Sequence, residues 1–141
     1  MRKLALALTL IASPVLAQDS TVYDYDGSFD DATFGVESAI VGRGLVVDWV
    51  SHVGEMLERT KADVGSDVTI FDNADIYMFC SATLSRKVME ADSKNIAYCP
   101  YGVFVTEMDG AVQVGYRNQP DGVMQEVQTL LDDIAREAAG K

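Results

Sequence analysis

Residues 76–107, IYMFCSATLSRKVMEADSKNIAYCPYGVFVTE, constrain the fold more than any other part of this chain. They read as a strand, a capped helix and a second strand. Residues 75–80 make the first strand. Ser81 stands where a hydroxyl can accept the free N–H groups of a first helical turn, which predicts a helix over 82–92. Leu84, Val88 and Ala91 fall on its inward side. Residues 96–107 return as an apolar strand. Cys80 closes the first strand and Cys99 comes early in the second. Such a unit cannot bury its apolar faces alone, so the rest of the chain must complete one sheet and one helical layer.

The remaining segments supply those layers. Residues 22–29, with Tyr23 and Tyr25 alternating, predict an entering edge strand. Asp30 or Asp31 is placed to cap the next helix, whose apolar side is Phe34, Val36, Ala39, Ile40 and Val41. Gly44 ends that helix. Residues 45–53 predict a buried strand. Strict alternation sets Val47, Trp49 and Val53 on one face and Val46, Asp48, Val50 and His52 on the other. A short helix over 54–64, with Met56, Leu57 and Val64 inward, precedes a loop over 65–74. Asp109-Gly110 is a hairpin turn that returns residues 111–117 against the preceding strand. After Pro120, Val123, Val127, Leu130, Leu131, Ile134 and Ala138 share one helical face. The order β-α-β-α-β-α-β-β-α predicts an α+β domain of two layers: one mainly antiparallel sheet of about five strands, with helices packed mainly on one face.

The chain is 141 residues long and carries a net charge of −11. Its first 17 residues read as a secretory signal peptide. Arg2 and Lys3 form the basic start, residues 4–16 are apolar, and Val15-Leu16-Ala17 suits signal peptidase. The expected product is a periplasmic or secreted single domain, 18–141, cleaved near Ala17. The apolar run is too short to span a membrane. The acidic balance excludes bulk electrostatic binding to nucleic acid or to an anionic membrane surface. Two cysteines in an exported chain invite a disulfide, although a domain of this size does not need one to fold.

The motif around the cysteines resembles the domain of unknown function 302 family of small bacterial α+β domains. Phe79-Cys80-Ser81-Ala82 matches the family's aromatic-Cys turn into a helix, with Ser81 for Asn and Ala82 for Pro. The run Pro100-Tyr101-Gly102-Val103-Phe104-Val105-Thr106-Glu107 matches its Pro-Cys strand, with Tyr101 in the place of the cysteine and Cys99 just before the proline. The resemblance implies the fold and a homodimer formed through the sheet. It implies no established reaction.

Cys80 and Cys99 are the candidate redox or disulfide residues. There is no Cys-x-x-Cys exchange motif, no nucleophile elbow and no phosphate loop. A soft metal or a haem would draw on Cys80, Cys99, His52, Met56, Met78 or Met89, but no ligand spacing matches, so no cofactor is expected. The acidic set Asp24, Asp26, Asp30 and Asp31 lacks the pattern of a calcium loop. Asp48 and His52 share a predicted strand face, roughly 13 Å apart at about 3.3 Å per residue, too far for a direct bond. His52, Asp48, Tyr77, Phe79 and Tyr101 are the candidate surface or ligand residues. The uncovered sheet face is expected to include Val46, Val50, Tyr77 and Phe79. The resulting reading is an exported, homodimeric accessory or ligand-binding domain for a small ligand or protein partner. The alternative is a thiol- or metal-dependent redox protein using Cys80 and Cys99.

Overall fold

The computed structural model describes residues 19–141; residues 1–17, expected from the sequence to be a signal peptide, lie outside the described residues. Five strands are β1 (Ser20–Tyr25), β2 (Val46–Ser51), β3 (Asn73–Cys80), β4 (Tyr101–Met108) and β5 (Ala111–Arg117). Four helices are α1 (Phe29–Gly42), α2 (Val53–Thr60), α3 (Ala82–Ala91) and α4 (Gln125–Ala138), with short 3₁₀ segments at Ser93–Tyr98 and Gly122–Met124. The strands lie in the order β1-β5-β4-β3-β2, and every neighbouring pair is antiparallel.

Alternation decides which face is covered. Tyr77 and Phe79 of β3, Val103 and Val105 of β4, and Val112 and Val114 of β5 point one way into a single core. Val36 and Ile40 of α1 and Val127, Leu131 and Ile134 of α4 close over them, and Val88 of α3 joins the same cluster. The helices therefore cover one face, as the periodicity predicts. Phe79 is fully buried and meets the Tyr101 ring edge-on, with centroids 6.2 Å apart. Arg43, which caps the end of α1, pairs with Glu137 of α4 at 2.8 Å, tying the two covering helices together at their rim.

Local chemistry corrects several predicted boundaries. The cap of α1 is Ser28, not Asp30 or Asp31; its hydroxyl oxygen accepts from the Asp31 N–H and donates to the Asp31 carboxylate. Phe34 and Val41, expected inward, are exposed, because the buried stripe of α1 runs through Ala32, Val36, Ala39 and Ile40. The strand expected from residue 96 starts at Tyr101. Residues Ser93–Tyr98 instead form a 3₁₀ turn opened by the Asp92 carboxylate, which accepts from the Lys94 N–H, and a cis Cys99–Pro100 bond leads into β4. Proline has no N–H to give to a ladder, so the strand begins after it. The helix α2 begins at Val53 and stops at Thr60, which leaves Val64 exposed.

The largest correction lies in β2. Val46 and Val47 pair with Cys80 and Phe79, but Trp49 pairs with Met78, so Asp48 is an extra, bulged residue. A bulge inverts the alternation beyond it. Val47 and Val50 therefore both oppose core-facing residues, Phe79 and Tyr77, while Val46 and Trp49 share the uncovered face. Val50, Tyr77 and Phe79, expected on the open face, all belong to the core side. Trp49, expected opposite Val46, stands beside it and is 65% exposed.

Candidate functional site

The uncovered face carries Ile76 and Met78 of β3, Gly102 and Phe104 of β4, and Gly115 of β5. At the end of the sheet where β3 finishes and β4 begins, this face sinks into a cleft of about 420 Å³. Ile76, Met78, Tyr98, Pro100 and Phe104 supply its apolar walls, and Gly102 lies among them. Two glycines explain why a hollow exists there. A Cβ on Gly102 would come within 3.3 Å of Ile76 Cγ2, and one on Gly115 within 2.5 Å of the Phe104 ring. The absent side chains let Phe104 lie down over β5 and leave space over β4. The rim is polar where β1 starts and β5 ends: Asp19, Ser20, Arg117 and Gln119 line it. Ser20 is directly opposite Arg117 in the ladder, and the Asp19 carbonyl accepts from the Asn118 N–H at 2.9 Å.

The cysteine pair anchors one wall of this cleft. Cys80 ends β3, and Cys99 sits between Tyr98 and Pro100, both of which line the hollow. Their Sγ atoms are 2.8 Å apart, both partly buried, and both cysteines are free thiols. Ser85 of α3 approaches Cys99 Sγ at 3.9 Å and donates to the Tyr101 hydroxyl at 3.1 Å. Burial pushes the Cys80 thiol up to about 12, with the Cys99 sulfur and the Asp48 carboxylate adding in the same direction. The position ahead of a helix N-terminus, which can acidify a thiol, is outweighed here by the apolar surroundings and the neighbouring sulfur.

The other candidate residues are dispersed. His52 is not with Asp48. Its Nδ1 lies 2.8 Å from the Asp75 carboxylate, a partner 23 positions along the chain, and that bond raises the pKa of the imidazole. His52 follows the end of β2 that pairs with Ile76, whereas Cys80 faces the other end, at Val46. Asp48 is exposed on the bulge near Cys80. Tyr77, Phe79 and Tyr101 present their rings to the core, and burial raises the phenol pKa of Tyr77 and Tyr101. Among the described residues, no three His, Cys, Asp or Glu side chains gather where a metal ion could be held.

Ile76, Tyr98, Phe104, Arg117 and Gln119 escaped the sequence reading, and Met78 entered it only as a soft-metal ligand. One signal pointed to them: glycine inside two adjacent strands, Gly102 and Gly115, marks a place where a ring, a backbone or a ligand approaches closely.

No curated protein matches the chain. Among solved structures, it is similar to the crystal structure of an uncharacterized conserved protein of the same family from Bacillus stearothermophilus. The TM-score is 0.63 at 18% identity, covering 88% of this chain and 95% of that one. At that identity the likeness concerns the fold. The family model described as "Domain of unknown function DUF302" matches residues 20–141. The chain belongs to the DUF302 family, whose function is unknown.

Proposed function

We propose that this chain is an exported, homodimeric accessory domain that binds a small ligand in the cleft of its open sheet face. The cleft between Ile76, Met78, Tyr98 and Phe104 carries the reading, because small-molecule sites are concave, mainly apolar and rimmed by a few polar groups. Export rests on the basic, apolar and small-residue pattern of the first 17 residues. Dimerisation fits the β2 side of the same face, where Val46 and Trp49 expose apolar surface that no helix covers.

The thiol-redox reading rests on the 2.8 Å approach of Cys80 and Cys99. Its chemistry is less well supported. A thiol held up near 12 is almost wholly protonated at neutral pH, and the thiolate is the attacking species. A high-pKa sulfur is also a poor leaving group in exchange. Both properties suit a lasting cross-link better than a turnover site.

A native, non-reducing mass spectrum of the mature protein from a periplasm tests the whole reading. The expected species is a dimer carrying a small organic adduct, each chain lighter than the reduced mass by two hydrogens. A bare monomer would refute it, and free thiols with a metal or added sulfur would put the redox reading in its place.

A further inference from the structure

The polar corner of the cleft is built from groups with opposite needs. Arg117 presents a guanidinium that makes no ion pair among the described residues. Gln119 donates its side-chain N–H to the Arg117 carbonyl at 2.8 Å, which fixes the amide, while its Oε1 is buried with no hydrogen-bond partner. Asp19 adds a carboxylate to the same rim. One strong donor for an anion and one exposed carboxylate acceptor therefore stand together beside an apolar hollow.

Resting on the cleft reading above, we propose that the ligand is a small apolar acid whose head carries a carboxylate beside a hydrogen-bond donor: an apolar α-amino or α-hydroxy acid. The carboxylate takes the two-pronged donor geometry of Arg117. The adjacent ammonium or hydroxyl donates toward Asp19. The apolar body lies among Met78, Tyr98 and Phe104, above Gly102. A second carboxylate on the ligand would meet Asp19 and the acidic balance of the chain, which selects monoacids.

Four probes dissect the head by NMR titration of the mature protein, read at the backbone amides of Gly102, Phe104 and Arg117. They are phenylalanine, 3-phenyllactate, 3-phenylpropionate (no donor) and phenylalanine methyl ester (no carboxylate). The expected order places phenylalanine or phenyllactate first. The ester should be weaker by about tenfold or more, since hydrogen bonds to charged groups exceed neutral ones by that scale. Arg117→Gln, at an exposed position, should erase the preference of acid over ester. Asp19→Ala should erase the preference over phenylpropionate. Acid and ester binding equally well at the cleft would overturn the proposed chemistry while leaving the cleft as a binding site. If none of the four moved the cleft amides at millimolar concentration, both the chemistry and the cleft reading would fall.

Discussion

Closing Cys80 onto Cys99 should change stability by an amount the fold allows to be worked out. The two residues bracket α3, the 3₁₀ turn and the approach to β4, so a bond between them closes a loop of roughly 20 residues. The loop-closure relation gives about 3 kcal/mol at 25 °C for that length. The sulfurs already lie 2.8 Å apart, so forming the bond asks for little rearrangement. For a domain of this size, 3 kcal/mol corresponds to a melting shift on the order of 10 °C. The assay is urea unfolding of the domain, residues 18–141, oxidised and fully reduced, with Cys80→Ser as a chain that cannot close. The oxidised protein should exceed the other two by about 3 kcal/mol, and reductant should leave the Cys80→Ser midpoint unmoved. An oxidised protein no more stable than its reduced form would refute the argument that this pair is a structural cross-link.

Gly54→Ala in α2 would drive a Cβ to 2.6 Å from the Ala74 backbone N, where nothing flexible can yield. The helix must shift off β3, at a cost of about 1–3 kcal/mol against a propensity gain of up to about 1 kcal/mol, so chemical denaturation should show net loss. Asp132→Ala removes the acceptor that takes both the Tyr23 and Tyr116 hydroxyls. Tyr116 is 2% exposed, so stranding its hydroxyl should cost about 1–3 kcal/mol, and Asp132→Asn should recover part of it. The Asp75 bond raises the pKa of His52 in the folded state. Its small stabilising contribution is therefore complete below the unfolded value of about 6.5 and disappears as pH rises through the folded value. An NMR titration of the ring should place the midpoint above 6.5, and Asp75→Asn should bring it back down. An unchanged midpoint in that variant would show that Asp75 is not the cause.

Much of the fold was legible because its signals are local. The Ser81 cap, the Asp109-Gly110 turn and the one-sided periodicity of α4 each depend on neighbours a few residues away, and each appears as predicted. Asp109 and Gly110 both take the positive φ that such a turn needs, 51° and 75°. The candidate site was less legible. Cys80 and Cys99 were singled out from the sequence, but the walls and rim of the cleft come from four strands and a turn that only the sheet assembles.

The sequence alone determined the order of the strands and α-helices, the Ser81 cap, the Asp109-Gly110 turn and the α+β class, because each follows from side-chain spacing and short-range hydrogen bonding. Only the tertiary structure decided which sheet face stays open. Both faces of β2 and β3 are apolar, and hydrophobicity cannot say which one the helices will cover. One bulged residue, Asp48, was enough to move Val50 to the core side and Trp49 to the open face. The meeting of Cys80 with Cys99 and of His52 with Asp75 was likewise settled by strand register. Register depends on how the whole sheet pairs, which no local stretch of residues encodes.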